Sequence, residues 1–539
     1  MGTFVNPTAE NFEKNMRAKV FVDKSLIIKE LNQIVNADNC YLCVSRPRRF
    51  GKTMAENMLC AYYGRKNDTS QIFNNLKISK DPEAKENYEK YLNKFNVLKI
   101  DCLTIWSTRG KKTFMQNMQD SVNQDLIAEF PDIKLNKKDP IANNLVKIYD
   151  ETNIKFVIFF DEYDLPVRFR FKEKDFGDYL DFLVSLFKAD AMTKVVALGY
   201  MTGILPIVKD KFQSKLNNFR PITIVNPYEY TDFTGFTKDE VEELCKKYKL
   251  DFQECEDWFY GYKFRYFKEI NGEGVWIKQS IFNPYAIIMT IQTHVFQSYW
   301  NNTGSYESIK DYILLNLDGT RDAVTEMLAG QEVDVNVTSY CNSMESFSTR
   351  SDVFTYLIHL GYLAYNFENE TCKIPNKEIS QEWLNAIETI GDYSTVFKFI
   401  ENSKRLLLQT IDGDEDAVAK SLETAQQFVT SPLSYNNEQS LQSAIDLAYF
   451  YASSKYFVIN ELPTGKGYAD VSFIPKRSGF PAIIIELKKE KSAGKALEQI
   501  HNKQYFKAFD NYEGQILFVG VNYDDDKKYV CKMEWFEKN

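Results

Sequence analysis

The stretch Tyr41-Leu-Cys-Val-Ser-Arg-Pro-Arg-Arg-Phe-Gly-Lys-Thr53 decides the fold of the N-terminal half. An apolar run that leads into Gly-Lys-Thr and then into a helical pattern is the context that a phosphate-binding loop requires. In such a loop, successive backbone N–H groups surround phosphate oxygens, Lys52 neutralises their charge, and the Thr53 hydroxyl joins the shell of a Mg²⁺ ion. The sequence therefore predicts an ATP and Mg²⁺ site built from Arg48, Arg49, Phe50, Gly51, Lys52 and Thr53.

One position of this loop departs from the usual pattern. Arg46 stands where the first glycine of such a loop normally lies. With a side chain at that position, the loop cannot adopt its usual backbone conformation without strain. Gly-Lys-Thr is also short enough to occur by chance, so the loop predicts nucleotide binding more firmly than ATP turnover.

A second motif supports the loop. The run Val157-Ile-Phe-Phe-Asp-Glu162 is an apolar strand that ends in two adjacent carboxylates. Asp161 is expected to hold Mg²⁺ through water, and Glu162 to orient and deprotonate the water that attacks ATP. A buried structural strand whose solvent end happens to be acidic would have the same sequence pattern. The phosphate-binding loop upstream makes that alternative less favoured.

A third strand ends in Thr202 and Gly203. A hydroxyl at a neighbouring strand tip is placed to sense the γ-phosphate, although a simple turn at these residues remains an open alternative. Arg168, Arg170 and Arg220 are candidates for a transition-state arginine, and the sequence does not choose among them.

The N-terminal half alternates short β-rich runs with longer helical patterns, which predicts a doubly wound α/β core with a parallel sheet. From about Thr237 the pattern becomes mostly helical. We therefore expect a P-loop ATPase domain over residues 1–236, a helical lid or spacer over 237–410, and a third domain over 411–539. The expected N-terminal strands are Tyr41 to Ser45, Val97 to Asp101, Phe156 to Asp161, Val195 to Thr202 and Ile222 to Val225.

The third domain reads as helix, three strands, helix and strand, in the order αβββαβ. Asp470 lies in the second of these strands, and Glu486 and Lys488 lie in the third. Alternation along a strand puts Glu486 and Lys488 on one face. Two carboxylates from adjacent strands can hold a divalent cation that polarises a scissile phosphate, with Lys488 stabilising the developing charge.

Bulk composition sets the class of protein. The 539 residues exceed the size of one core, and apolar residues at 44% with aromatic residues at 15% argue against disorder. The formal net charge of -9 requires any nucleic-acid contact to use a local basic groove. Nine scattered cysteines and an N-terminus without a basic start or apolar core predict reduced thiols, no signal peptide, no membrane segment and a cytoplasmic location.

Several motifs make the chain resemble a known family. They are Val22-Asp-Lys24, the arginine-rich loop, Phe160-Asp-Glu-Tyr-Asp164, Met201-Thr-Gly-Ile-Leu-Pro206 and Leu216-Asn-Asn-Phe219. Together they resemble the AAA-ATPase-like family that is commonly fused to a C-terminal PD-(D/E)XK domain. In that family the arginine-rich loop replaces the glycine-rich one, so Arg46 is similar to a family trait.

The resemblance implies further expectations. The C-terminal core resembles a restriction-endonuclease-like fold, in which Gln499 on the second helix faces the site and Glu438 in the opening helix helps to hold the metal. Catalytic roles fall to Glu162, Asp470, Glu486, Lys488 and Gln499. The implied activity is a Mg²⁺-dependent hydrolysis of nucleic acid, DNA in preference to RNA, controlled by an ATPase that forms a homo-oligomer. The alternative is a non-catalytic switch, in which the loop binds ATP and the C-terminal domain only grips nucleic acid or a protein.

Overall fold

The computed structural model describes most of the chain. The described ranges are 3–206, 215–270, 272–300, 306–328, 330–338, 347–388, 394–426, 445, 448–464, 466–476, 479–509, 512, 514–524 and 528–536.

The chain divides into two compact units. The first unit contains Met1–Ser305 and Asp334–Gln381, and the second contains Tyr306–Val333 and Glu382–Asn539. Each unit therefore contains two separate segments of the sequence. The division into three domains at residues 236 and 410 stays a prediction.

The first unit is built on a parallel sheet of five strands. The strands are β1 Tyr41–Ser45, β2 Asn96–Asp101, β3 Phe156–Asp161, β4 Val196–Gly203 and β5 Arg220–Ile222, and their spatial order is β2-β3-β4-β1-β5. All four neighbouring pairs run parallel. Strands β1, β3 and β4 are buried along their whole length, as continuous apolar runs in a covered parallel sheet should be.

The helices follow the 3.6-residue pattern of the sequence, and several begin at a side-chain cap. Thr237 and Thr349 each form a capping box with the residue three positions later. The helices are α1 Glu10–Met16, α2 Ile27–Asn32, α3 Lys52–Tyr63, α4 Ser70–Phe73, α5 Lys77–Lys80, α6 Lys85–Tyr91, α7 Cys102–Thr108, α8 Phe114–Glu129, α9 Ile141–Thr152, α10 Leu165–Arg168, α11 Glu173–Phe187, α12 Asp190–Thr193, α13 Lys238–Tyr248, α14 Phe252–Phe259, α15 Pro284–Thr293, α16 Tyr306–Leu315, α17 Thr320–Leu328, α18 Arg350–Leu360, α19 Lys377–Glu388, α20 Ser394–Ile411, α21 Glu415–Gln426 and α22 Ala493–Lys503.

The part of the first unit that follows the parallel sheet is helical with one long hairpin. Strands β7 Tyr262–Ile270 and β8 Glu273–Phe282 pair antiparallel, and β6 Phe236–Thr237 joins the free edge of β8. Short strands β10 Ala364–Asn366 and β11 Thr371–Lys373 follow in this unit, and β9 Val333–Asp334 precedes them at the unit boundary in the sequence.

The second unit contains a mixed sheet of five strands. They are β12 Tyr456–Thr464, β13 Gly467–Pro475, β14 Ala482–Lys489, β15 Ile516–Tyr523 and β16 Tyr529–Phe536, which lie side by side in chain order. Only β14 and β15 run parallel, with α22 as their crossover, and the other pairs are antiparallel. One face of this sheet packs on the helices α20 and α21, and the other packs on α22.

The fold class predicted from the sequence is confirmed, with three local corrections. The fifth strand of the first sheet is Arg220–Ile222, not Ile222 to Val225, because Thr223 turns the chain by accepting hydrogen bonds from Val225 and Asn226. The middle region contains the hairpin β7–β8, which the helical interpretation missed. The C-terminal sheet has a fifth strand, β16, after the expected αβββαβ order.

The eight described cysteines are buried, and none of them forms a disulfide with another described cysteine. In the described part of the chain, no helix is both long enough and apolar enough to cross a membrane.

Candidate nucleotide and metal sites

The strand order brings the predicted nucleotide residues to one edge of the sheet. Strand β4 lies between β1 and β3, so the carboxyl ends of all three meet at the loop that precedes α3. In open α/β sheets, ligands bind outside this edge of the strands. Gly51, with φ of 84°, adopts the left-handed conformation that lets the chain turn from the loop into α3.

A hydrogen-bond network joins the three strand tips. Thr53 Oγ1 donates to Asp161 Oδ2 at 3.0 Å. Thr202 Oγ1 lies 2.6 Å from Asp161 Oδ1 and 2.7 Å from Glu56 Oε1. Burial raises the pKa of Asp161, while the hydrogen bond from Thr202 acts in the opposite direction. Thr53 and Thr202 therefore both contact Asp161, as a shared Mg²⁺ and phosphate site needs.

Glu56 is a member of this network that sequence reasoning missed. It lies in α3, is completely buried, and its pKa is raised well above the ordinary value by burial and then by the charge of Asp161. Lys99 Nζ is 3.8 Å from Glu56 Oε2. The available signal was its position three residues after Thr53, which places both side chains on one helix face.

Lys52 is turned into its own loop. Its Nζ donates to the carbonyl oxygens of Arg46 and Pro47, each at 2.9 Å. Burial lowers the pKa of Lys52, and the charges of Asp161 and Glu162 oppose that shift. A phosphate would therefore replace two loop carbonyls as the partner of this ammonium group.

The three loop arginines have different surroundings. Arg46 is buried, with its guanidinium 5.4 Å from the ring centre of Phe264 and its Nη1 bonded to Ser45 O at 3.0 Å. Arg49 stacks 3.7 Å from the ring centre of Tyr285. Arg48 is exposed. Phe50 is buried against Tyr262, so only its backbone N–H remains for phosphate.

Glu162 is held by a neighbouring arginine. Arg168 contacts Glu162 and lies 3.0 Å from Asp164 Oδ2. Burial alone would raise the pKa of Glu162, but Arg168 and then Lys52 and Arg48 outweigh it, so the pKa is lowered. Arg168 is therefore a candidate arginine in direct contact with the predicted catalytic glutamate. Arg220 is instead paired with Glu229 at 2.7 Å.

An apolar cavity of about 60 Å³ adjoins the start of α3. Gly51 and Ala55 form its wall on the loop side. The other lining residues are mostly apolar and include Val22, Phe236, Pro284 and Ile288.

The second site lies on β13, β14 and α22. Asp470 and Glu486 are on adjacent antiparallel strands, just beyond the last paired residues Val471 and Ile485. Ser492 caps α22 by accepting from Lys495 N at 3.2 Å. The helix packs closely on β15, because any Cβ at Gly520 would lie 2.3 Å from Ala493 O.

Four predicted residues converge at this site. Asp470 Oδ2 accepts the Leu487 N–H at 2.7 Å. Lys488 Nζ donates to Glu486 Oε1 at 2.8 Å and to Leu487 O at 2.9 Å. Gln499 Nε2 also contacts Glu486 Oε1. One nearly buried carboxylate therefore receives both the lysine and the glutamine.

The electrostatics of Glu486 fit a divalent cation. Burial and then the charge of Asp470 raise its pKa from 4.5 to about 7. Two carboxylates that repel each other at a shared site are relieved by a cation, and oxygen ligands suit Mg²⁺ or Mn²⁺. The residues that could hold the ion are Asp470 and Glu486, with Leu487 O as a further oxygen.

The described residues supply two carboxylate ligands at this site. Glu438, the third expected ligand, lies outside the described residues. Among the described residues, no group of three or more His, Cys, Asp or Glu side chains could hold a metal. A two-carboxylate site still matches Mg²⁺, which commonly takes one or two carboxylates and fills its remaining positions with water and phosphate oxygens.

Tyr505 is a further neighbour of this site. Gln499 Nε2 donates to the Tyr505 hydroxyl at 3.1 Å. Burial raises the pKa of Tyr505 to about 12, so this hydroxyl stays protonated near neutral pH.

Comparisons with known proteins find two family matches in the chain. Residues 8–213 match a family described as predicted AAA-ATPase, and residues 436–533 match the PD-(D/E)XK nuclease superfamily. A protein of Azotobacter chroococcum mcd 1, described as an uncharacterized protein in the vnfD 5′ region, is 25% identical over 166 residues, which cover 30% of this chain and 29% of the relative. The chain thus spans less than one third of that relative's length. By its two family matches, the chain joins an AAA-ATPase-like domain to a PD-(D/E)XK nuclease superfamily domain, the fusion that its sequence motifs resemble.

Proposed function

We propose that the protein binds and hydrolyses ATP in its first unit and cleaves nucleic-acid phosphodiester bonds with a divalent metal in its second. The observation that carries the proposal is the convergence of Asp470, Lys488 and Gln499 on the backbone and side chain around Glu486. A purely structural strand end has no need of a buried carboxylate whose pKa is raised to about 7.

Each residue of the nuclease-type site has a defined task in this proposal. Asp470 and Glu486 hold the cation, which supplies polarisation of the scissile phosphate and a lowered pKa for the attacking water. Lys488 moves from Leu487 O towards the phosphate oxygen that gains negative charge. Gln499 keeps the Glu486 carboxylate in one orientation, and the Asp470 bond to Leu487 N fixes the strand ends.

The nucleotide site uses the network at the sheet edge. Backbone N–H groups from Arg48 to Thr53 and the Lys52 ammonium bind the phosphates. Thr53 and Asp161 would hold Mg²⁺, which would supply charge neutralisation at the phosphates. Glu162 orients the attacking water once Arg168 releases it. Thr202 then reports the state of the site to Glu56 through the bond they share.

The base of the nucleotide is assigned to the apolar cavity. Phe50 and Gly51 belong to both the phosphate loop and the cavity wall, so a nucleotide bound to the loop lies beside the cavity. Largely apolar linings are typical of sites that bury a flat ring.

The test is cleavage of labelled DNA and RNA by the full chain with Mg²⁺ or Mn²⁺, comparing wild type with Asp470→Ala and Lys52→Ala. We expect Asp470→Ala to abolish cleavage and leave nucleotide binding intact, and Lys52→Ala to weaken nucleotide binding. A wild-type protein that cleaves neither polymer, or an Asp470→Ala variant that cleaves as well as wild type, contradicts the nuclease proposal.

A second function is favoured by one observation at the loop. Lys52 is already bonded to the carbonyls of Arg46 and Pro47, and Glu162 is already paired with Arg168. This arrangement suits a switch that binds ATP without turning it over, with the C-terminal domain gripping nucleic acid or a protein. ATP binding without phosphate release, together with Glu162→Gln that behaves as wild type, distinguishes the switch from the ATPase.

A further inference from the structure

The hairpin β7–β8 presents two large aromatic side chains to solvent. Phe267 is 56% exposed and Trp276 is 57% exposed. They lie directly opposite each other across the two strands, with ring centres 5.6 Å apart. Large exposed aromatic pairs are uncommon on a protein surface unless they contact a partner.

The two faces of the hairpin differ. Because side chains alternate along a strand, the inner face carries Tyr262, Phe264 and Tyr266, which are buried. The opposite face carries Phe267 and Trp276 with the cations that flank them. The aromatic pair is therefore not part of the core, since the core side of the same strands is already filled.

The position of the Phe267 ring is fixed by the backbone opposite it. A Cβ added at Gly274 would lie 2.1 Å from the Phe267 ring, so the ring covers the bare glycine. The Arg265 guanidinium lies 4.6 Å from the ring centre of Trp276. Both rings are therefore fixed by neighbours on the hairpin, and they meet edge to face with an angle of 72° between their planes.

Positive charge lies at the base of the same face. Lys263, Arg265 and Lys278 all lie on this face, since Lys278 is directly opposite Arg265 in the register of the two strands. Glu368 contacts Lys278. The pKa of the Glu368 carboxyl group is lowered mainly by Lys278, and further by Arg265 and Lys263. Glu269 lies at the turn end of the face, beyond the aromatic pair. We define the hairpin face by these cations and the two rings: Lys263, Arg265, Phe267, Trp276 and Lys278.

We propose that the hairpin face binds single-stranded nucleic acid, with bases stacked on Phe267 and Trp276 and phosphates on Lys263, Arg265 and Lys278. Exposed aromatics beside cations suit a chain that offers unpaired bases and phosphates at every step. A duplex offers no free base face, and an apolar protein segment has no use for the cations. The choice of nucleic acid over another polyanion rests on the proposed nuclease function, but binding at this face needs neither metal nor cleavage.

The test measures binding with cleavage removed. The full chain carrying Asp470→Asn is titrated, without divalent metal, into a fluorescein-labelled oligothymidylate of about 20 nucleotides, and anisotropy gives Kd. Phe267→Ala with Trp276→Ala is expected to raise Kd about 10-fold or more, because each stacked base contributes on the order of 1–3 kcal/mol. Trp276→Phe keeps a ring, so its Kd should stay near that of the parent. Leu103→Ala is the control, because it removes an exposed apolar side chain elsewhere in the first unit.

Charge variants test the phosphate-binding role of the cations separately. Arg265→Gln with Lys278→Gln should reduce the slope of log Kd against log salt by about 0.7 for each phosphate that is no longer neutralised. Since the altered side chains lie on the outer face, circular dichroism and the melting temperature should match the parent.

Three results would overturn the proposal. They are a parent protein that does not bind the oligonucleotide, a double alanine variant that binds it as tightly as the parent, and a parent that prefers duplex to single strand. A protein partner for the face would appear as the second result, in which nucleic-acid affinity ignores the two rings. Cleavage is scored in the chain with Asp470 intact. If the hairpin face does not bind but the chain cleaves normally, only the binding proposal is contradicted. If the face binds but the chain does not cleave, only the nuclease proposal is contradicted.

Discussion

Lys488 Nζ and Glu486 Oε1 lie 2.8 Å apart, and both side chains are almost fully buried. A buried ion pair is costly to form from water, and removing one partner leaves an uncompensated group. Here the carboxylate also feels Asp470, which together with burial keeps its pKa high. The Glu486 carboxyl group is therefore poised to exchange a proton for a cation near neutral pH.

The first prediction concerns pH and metal affinity. In the folded chain the pKa of Glu486 is raised from 4.5 to about 7, so the protonated form is favoured below that value. A cation needs the ionised form, so Mn²⁺ affinity should rise by up to about tenfold per pH unit below 7 and level off above it. Isothermal titration calorimetry of the full chain with Mn²⁺ from about pH 6 to about pH 8 measures this.

The same shift predicts the stability of the metal-free protein. A carboxyl group with a raised folded pKa stabilises the fold below its unfolded pKa, and that contribution is lost as pH rises through about 7. Glu486→Gln should remove this loss and the pH dependence of metal binding together. An unchanged Mn²⁺ affinity across the range in wild type would contradict the assignment of Glu486.

The second prediction tests Lys488. Lys488→Met keeps the apolar stem and removes the charge, which leaves Glu486 without a cation that lowers its pKa. Cleavage should fall on the order of 100-fold, and the midpoint of the pH profile should move above 7. The matched control is Lys489→Met, since Lys489 is the next residue on β14 and pairs with Glu490 at 3.0 Å. Equal losses in both variants would contradict a specific role for Lys488.

Strand positions were predictable where burial alone decides the pattern. Strands β1 and β3 have the predicted bounds. An unbroken apolar run of five or six residues in an α/β pattern is typical of a parallel strand that is covered on both faces. The hairpin β7–β8 was missed because its strands carry lysines, arginines and exposed aromatics. Its signal was present, since Asn271-Gly272 between alternating runs is a strong hairpin turn.

The sites were predictable at the level of motifs and not of partners. Sequence spacing named Thr53, Asp161 and Thr202, which share one network. It could not show that Arg168 contacts Glu162 or that Lys52 bonds its own loop, because both depend on side-chain packing around a tight turn. Interactions of that kind are set by tertiary structure and leave no periodic pattern in the chain.

The third prediction separates ATP binding from turnover. Glu162→Gln removes the proposed base but keeps its size, so ATP affinity should be unchanged while phosphate release falls about 100-fold to 10,000-fold. Fluorescent nucleotide titration and a phosphate-release assay measure the two quantities. Glu151→Gln, at an exposed position near the end of α9, is the control. Normal turnover in Glu162→Gln would favour the non-catalytic switch.

The fourth prediction tests the base cavity. Ile288 lines it, and a tryptophan there should fill the space. Ile288→Trp is expected to raise the Kd for ATP about tenfold, because the base can no longer bury its apolar surface there, and to leave binding of inorganic tripolyphosphate unchanged. Met289→Trp adds the same ring at the next position of α15, which does not line the cavity. Equal weakening of ATP and tripolyphosphate would place the effect in the loop and not in a base site.

The fifth prediction tests how the packing of α22 positions the nuclease-type site. A Cβ at Gly520 would lie 2.3 Å from Ala493 O and 3.0 Å from Ala496 Cβ, so Gly520→Ala must push the helix away from β15. The cost should be about 1–3 kcal/mol of unfolding free energy, as for other overpacked interiors. Because Gln499 moves with the helix, cleavage should fall further than stability alone explains. Gly494→Ala is the matched control in the same helix, where the nearest atom to the new Cβ is 3.9 Å away. Gly494→Ala should stabilise the helix by about 0.5–1 kcal/mol. Thermal unfolding and cleavage assays measure both variants. Equal behaviour of Gly520→Ala and Gly494→Ala would contradict the packing argument.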